Sequence, residues 1–295
     1  MDKIFRDKKA IAIFIAPGII LFTLILLIPI CQAVIYSLCD WNALTKPEFI
    51  GFSNYIKMFT KDKIMRVAFK NSMFFMIFSA ITQQVMGLVL ASSLMNIKKG
   101  RNFFKNVYYL PAVLSSAALG LLWSFLFNPK MGINQILGLF GIEGPLWLMS
   151  TKGYIILPMW VIAFVALWQY TGTTMMLYMA QISGISKSLY EASYIDGANK
   201  IKSFRYITLP LIKPMLATTL SLNCIGSLKF FDLVYNMTQG GPNNRTDVLA
   251  TRLYEEGFKY FKYGYASAIG ITLLMMCLLV TFIINRCIKI EDYEM

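Results

Sequence analysis

The sequence predicts an all-α polytopic membrane protein with six transmembrane helices. Of its 295 residues, 57% are hydrophobic and only 15% charged, and mean hydropathy is +0.58. That balance suits a chain dissolved in lipid rather than in water. Several runs poor in charge reach the roughly 20 residues that a helix needs to cross a bilayer. The links between them carry basic residues most densely on one side, the pattern that sets membrane orientation.

The first run, Ile11–Leu38, carries Pro17 and Pro29. It is about twice the roughly 7–15 residues of a signal-peptide core, and no cleavage site follows, so it is expected to stay as an anchor. Asp40-Trp41-Asn42 opens an outer segment running to Arg66, in which Phe49-Ile50-Gly51-Phe52-Ser53-Asn54-Tyr55 suits a strip at the membrane surface. The next runs are Asn71–Ile97, Asn106–Phe127 and Gly153–Ile182. Leu211–Tyr235 and Gly264–Asn285 complete the set, the former burdened by Lys229 and Asp232. The expected organisation is a tail, first span and outer segment over 1–66, a transporter unit over 67–287 with a polar loop at 186–210, and a tail over 288–295.

Basic residues cluster at Lys3, Arg6, Lys8 and Lys9, at Lys98, Lys99, Arg101 and Lys105, at Lys187, Lys200, Lys202, Arg205 and Lys213, and at Arg286 and Lys289. This side outnumbers the other by fifteen to eleven, mostly through density, and is expected to be cytoplasmic with both termini. A net charge of +13 then reads as basic loops against anionic lipid headgroups, not as a nucleic-acid surface.

Catalytic chemistry is not expected. There is no histidine, and Cys31, Cys39, Cys224, Cys277 and Cys287 form no C-x-x-C pair, so neither a His-based triad nor a metal site is indicated. No phosphate-binding G-x-x-x-x-G-K-[ST] loop occurs.

Polar residues inside the spans mark contacts or a cavity. Gln83 and Gln84 in the second span read as helix–helix hydrogen bonding rather than ligand contact. The fourth span holds Trp168-Gln169-Tyr170-Thr171-Gly172-Thr173-Thr174. Gln169 and Thr173 lie four apart on one helix face, which fits either a polar binding face or tight packing by Gly172 and the threonines. In the fifth, Asn223 and Ser227 share a face with Phe230 one turn on. Lys229 either neutralises Asp232, snorkels outward or serves a function.

Between the fourth and fifth spans lies a polar insert. Ser188-Leu189-Tyr190-Glu191 reads as a capping box at a helix start, and Gly197 suits the turn after it. A second piece, Lys200 to Ile207, is expected to stop before Pro210. Glu191-Ala192-Ser193, Asp196-Gly197-Ala198, Phe204, Ile207 and Leu209-Pro210 resemble the cytoplasmic Glu-Ala-Ala loop of binding-protein-dependent ABC importer permeases. Ser193 replaces the second alanine of that pattern.

A second resemblance lies further on. Thr238-Gln239-Gly240-Gly241-Pro242, Tyr254 and Tyr263-Gly264-Tyr265-Ala266-Ser267-Ala268 look like the maltose-type carbohydrate importer family. Within it the chain is similar to the larger permease type, without that type's long extra outer domain. The resemblance implies a type I ABC importer permease fold in a prokaryotic cell membrane. It implies pairing with a second homologous permease, two copies of a cytoplasmic ATPase that carry ATP and magnesium, and an extracytoplasmic sugar-binding protein. It places ATPase coupling on Glu191, Ala192, Ser193, Asp196, Gly197 and Ala198. It places a sugar, taken to be an oligosaccharide, against Gln169, Tyr170, Thr173, Asn223, Ser227 and Phe230. Rival readings are a permease for a non-sugar solute such as glycerol phosphate, which would want a cationic cavity, and an ion-coupled secondary transporter, for which Asp232 is the one intramembrane carboxylate at hand.

Overall fold

The computed structural model describes residues 8–97 and 99–288, so Lys3, Arg6, Lys98, Lys289 and most of the C-terminal tail lie outside the described residues. Helix α1 (Lys8–Phe22) runs through a wide π turn, Thr23–Leu27, into α2 (Ile28–Ser37). Then come two short strands, β1 (Cys39–Asp40) and β2 (Glu48–Phe49). Helix α3 (Lys63–Asn96) is followed by α4 (Arg101–Val113), α5 (Ser116–Leu126) and α6 (Leu157–Ser183). Helices α7 (Lys187–Ile195), α8 (Lys213–Leu228), α9 (Asp232–Thr238) and α10 (Tyr263–Cys287) complete the principal elements.

Four helical stretches are long and apolar enough to cross a membrane: Ile13–Ser37, Lys63–Asn96, Leu157–Ser183 and Tyr263–Cys287. Six segments qualify if two bent pairs each count as one span. The expected third span is bent by 95° between α4 and α5. Pro111 lies in the last turn of α4, and Leu114 and Ser115 adopt extended backbone, which ends the helix. The fifth-span region bends by 69° around Ile212 and breaks again after Leu228, so α8 and α9 are separate helices. Among the described residues Lys229 and Asp232 form no ion pair. Lys229 instead closes α8, and Asp232 opens α9, where a carboxylate suits the helix dipole.

The chain divides into two compact units. One comprises residues 1–62 and 252–272. Strand β1 pairs antiparallel with β2, Cys39 opposite Phe49. The Gly51-Phe52-Ser53-Asn54-Tyr55 strip has a structural task here. Asn54 Nδ2 donates to the carbonyls of Ser37 (2.9 Å) and Cys39 (3.0 Å), and the Tyr55 hydroxyl donates to Ser37 Oγ (2.8 Å). The two Asn54 bonds satisfy carbonyls left open where α2 ends, and the Tyr55 bond fixes the Ser37 side chain. In the same unit Tyr265 donates to Asp62 (2.9 Å), and buried Arg252 is paired with Glu255 (2.8 Å) and Glu256.

The other unit comprises 63–251 and 273–295. Its core is a buried cluster in which Phe75 of α3 and Leu119 of α5 meet Ile162, Val165 and Ala166 of α6 and Leu233 of α9. Close helix approach relies on glycine. A Cβ at Gly172 would collide with the Tyr108 carbonyl oxygen, so α6 and α4 touch backbone to backbone. The Thr238–Thr246 loop is tied to α3: Asn71 Nδ2 donates to the carbonyls of Arg245 (2.9 Å) and Asp247 (2.8 Å).

Candidate functional site

Two places in the second unit gather the residues singled out in the sequence. The first is a cavity of about 340 Å³ between α3, α6 and α8. Its lining follows helical spacing on each element. Phe75, Ser79 and Gln83 come from α3, Ala166, Tyr170 and Thr173 from α6, and Asn223, Gly226, Ser227 and Phe230 from α8 and its end. Among the described residues no charged side chain lines it.

The aromatic residues form one wall. The Phe230 ring lies 5.1 Å from that of Phe75 and 6.4 Å, edge on, from that of Tyr170. The Tyr170 hydroxyl is anchored by Ser116 Oγ at 3.0 Å. Polar groups face this wall. Asn223 Oδ1 accepts a long bond from Thr174 (3.4 Å), while its Nδ2 is buried without a hydrogen-bond partner among the described residues. A buried, unmatched donor costs stability unless something completes it. Ser227 donates to the Asn223 carbonyl (2.7 Å), which leaves its oxygen lone pairs available as acceptors.

Five of the six sequence-chosen residues meet at this cavity: Tyr170, Thr173, Asn223, Ser227 and Phe230. Gln169 does not line it. It is 1% exposed, and its Nε2 donates to the Leu114 carbonyl (3.3 Å) and to Ser116 Oγ (3.0 Å). The expected shared face of Gln169 and Thr173 therefore splits. Thr173 continues the Ala166–Tyr170 stripe, whereas Gln169 turns to the break between α4 and α5 and supplies a donor to a carbonyl that helix leaves open. The α3 stripe of Phe75, Ser79 and Gln83 is what sequence reasoning missed. The four-residue spacing of these three residues was the available signal.

Gln84, by contrast, makes the helix–helix contact foreseen for both glutamines. Its Oε1 accepts from the hydroxyls of Tyr178 and of Thr219 (3.1 Å), joining α3, α6 and α8. Replacing Gln84 with Ala removes the acceptor that joins Tyr178 and Thr219 to α3, leaving those hydroxyls with each other and with the Met215 carbonyl, at a cost of about 1 kcal/mol. The expected result is a lower melting temperature of the purified complex with unchanged uptake per assembled complex. A thermal-unfolding series alongside normalised uptake checks it.

The second place is the insert after α6. Its helix, α7, begins two residues earlier than expected. Ser186 is the cap, accepting from the Ser188 amide at 3.3 Å, because the chain leaves α6 at Gly184 and becomes extended at Ser186. Ser188 thus lies inside the helix, and Glu191 is exposed rather than engaged in a capping box. Gly197 sits at φ +76°, the left-handed position after the helix end. The Ala198 amide donates to the Ser193 carbonyl (2.9 Å) and the Gly197 amide to that of Tyr194 (3.1 Å), the paired bonds of a Schellman motif.

Asn199 then caps a new turn through the Lys202 amide (2.9 Å). The helix does not stop before Pro210. A π turn, Phe204–Thr208, widens the backbone just ahead of it, and the helical path continues to Leu211. Side chains close the insert into a hairpin: Tyr190 to Thr208 (2.8 Å) and Ser193 to Ser203 (2.9 Å), hydroxyl to hydroxyl. Glu191, Ala192, Asp196 and Gly197 are left exposed on it, with Ser193 and Ala198 half-buried.

Comparison with known proteins adds four findings. The model of the family described as "Binding-protein-dependent transport system inner membrane component" matches residues 83–288. The chain is similar to the probable ABC transporter permease protein YurN of Bacillus subtilis, 34% identical over 98% of this chain and 99% of the relative. It is also similar to the lactose transport system permease protein LacF of Rhizobium radiobacter, 30% identical over 92% of this chain and 91% of that one. Among solved structures, a chain from the crystal structure of a bacterial ABC transporter that imports the acidic polysaccharide alginate aligns at TM-score 0.83. That match has 25% identity and covers 98% of this chain and 97% of the other.

Proposed function

The chain belongs to the binding-protein-dependent transport system inner membrane components, and on that premise we propose that it forms half of the translocation pathway of an ATP-driven sugar importer. It is a membrane transport component with the ABC importer permease fold, not an enzyme. The finer reading is ours: six spans, both termini cytoplasmic, a second permease chain beside it, two ATPase copies beneath and a binding protein delivering an oligosaccharide outside.

The observation that carries the sugar reading is the lining of the 340 Å³ cavity. An aromatic wall facing amide and hydroxyl groups, with no charge, matches an uncharged polyol, whose C–H faces lie against rings while its hydroxyls pair with polar groups. The relatives' names, lactose for LacF and arabinooligosaccharides for AraP of Bacillus subtilis, support the same class. The absence of a cation from the lining argues against a phosphate ester as cargo.

In the proposed cycle, closure of the ATPase dimer moves the exposed face of α7, on which Glu191 and Asp196 sit. Because the hairpin is closed by its own side-chain bonds, it moves as one body and rocks the spans around the cavity. The cavity then opens outward to receive sugar and inward after hydrolysis. The reaction is tested in proteoliposomes holding the permease pair with and without the ATPase, supplied with the sugar-loaded binding protein. Uptake that needs ATP supports the reading. Uptake that persists without the ATPase and follows an ion gradient overturns it.

Orientation has its own test. Cysteines at Lys99 and Lys200, in a background lacking the native five, should react with membrane-impermeant thiol reagents only from the cytoplasmic side, and one at Asn243 only from outside. The reverse pattern would invert the topology.

A further inference from the structure

A second cavity, of about 400 Å³, lies away from the one just described, between the ends of α3, α4 and α6 and the hairpin. Its lining is unlike that of the first. Arg101, Lys187 and Lys200 place three cations around it, and among the described residues no carboxylate lines it. None of the three cations has a carboxylate partner among the described residues. Ser92, Asn96, Ser183, Tyr190 and Tyr194 add hydrogen-bonding groups. The Ser92 hydroxyl oxygen is buried and has no partner among the described residues. Met95, Ile182, Ile185 and Phe204 complete an apolar wall. Among the described residues the Arg101 guanidinium has the Met95 sulfur as its hydrogen-bond partner, a weak acceptor for a group that prefers an oxyanion.

We propose that this cavity is a binding site for an organic phosphate: the three cations hold the phosphate, and the apolar wall holds the group that carries it. Like charges gathered without a counter-ion repel one another, and an anion between them removes that repulsion. Guanidinium and ammonium donors suit phosphate oxygens in complementary ways, Arg as a planar fork and Lys as a point charge. The volume falls in the range of sites that bury a small organic molecule, larger than a bare ion needs. The place in the fold is equally pointed. Basic pockets between helices at the cytoplasmic end of a membrane protein take phospholipid headgroups, and tyrosines favour the membrane interface. The bound phosphate would tie Lys187 and Lys200 of the hairpin to Arg101 at the start of α4, so its presence would stiffen the joint between hairpin and spans.

The chemistry is shared by two sources, an anionic lipid and a soluble phosphate ester, and the test separates them. The purified full-length chain within its transporter is placed in nanodiscs of phosphatidylcholine with increasing phosphatidylglycerol. Bound lipid is counted by native mass spectrometry. In parallel, glycerol 1-phosphate is titrated into transporter in phosphatidylcholine alone, with thermal shift as the readout. The variant is Lys187→Gln with Lys200→Gln, both exposed residues that the fold does not need. The control is Lys99→Gln with Lys202→Gln, exposed cations of the same chain end that do not line the cavity.

One saturable phosphate per chain is expected, weakened roughly fivefold for each cation removed and so by about 25-fold in the variant, with the control unchanged. Retention of phosphatidylglycerol alone assigns the source to the membrane, and a saturable shift with glycerol 1-phosphate assigns it to solution. The proposal is overturned if neither probe binds, or if variant and control lose binding alike. Neither readout involves transport, so the site stands or falls independently of the cargo.

Discussion

Gly197→Leu is expected to remove most ATP-driven uptake while the chain still inserts and assembles. Gly197 occupies φ +76°, where a residue with a Cβ is strained by ~1–2 kcal/mol. Nothing lies within 4 Å of the position a Cβ would take, so the substitution does not disturb the interior. Its effects are local: the Schellman turn that closes α7 is strained, and an isobutyl group projects from the exposed face bearing Asp196. An energy of that size corresponds to a roughly tenfold shift in the population of the native turn. In the proposed cycle, steric interference with the docked ATPase adds to it. Uptake per assembled complex and ATPase stimulation by the loaded binding protein should fall together. Gly197→Asn, which tolerates the left-handed region better, should retain part of both. Normal uptake by Gly197→Leu would remove α7 from the coupling path.

The second large effect belongs to the cavity. Asn223→Ala deletes the buried Nδ2 that lacks a partner among the described residues, and with it the hydrogen bond proposed to a sugar hydroxyl, typically ~0.5–1.5 kcal/mol. Phe230→Ala deletes the ring that stands between Phe75 and Tyr170 and so dissolves the aromatic wall. Both should raise the sugar concentration needed for half-maximal uptake several-fold, at an unchanged amount of assembled complex. Gln169→Ala should do the opposite, lowering stability with little change in sugar dependence. If instead Gln169→Ala alters selectivity while Asn223→Ala and Phe230→Ala transport normally, the pathway runs on the other face of α6.

How far these places were legible before any coordinates depends on the physical signal at each. Unbroken spans announce themselves because burial in lipid demands continuous apolar length. The bends do not. Hydropathy is blind to backbone dihedral angles, and the apolar run through Leu114 reads the same whether the helix continues or turns by 95°. Pro111 was a hint, but a proline within an apolar run can either kink a continuing helix or end it, and hydropathy does not tell which. Gly197 was legible because few other residues suit its conformation. The start of α7 was not, since Ser186 and Ser188 are both plausible caps and the choice is set by where α6 ends. The cavity residues on α8 were legible as a four-residue polar repeat. Gln169 was misplaced for a physical reason: its partner, the Leu114 carbonyl, is open only because of a break that the sequence does not display.

That hydrogen bond has a consequence for comparative work. A broken helix in lipid exposes carbonyl groups that no water satisfies, and at Leu114 a side chain from a neighbouring helix repairs the gap. Position 169 is therefore constrained by architecture. When permeases of this kind are sorted by cargo, the amino acid at this position should covary with residues 111–116 and stay indifferent to the solute carried. A specificity code should be sought instead in the stripes of Phe75, Ser79 and Gln83, of Tyr170 and Thr173, and of Asn223, Ser227 and Phe230.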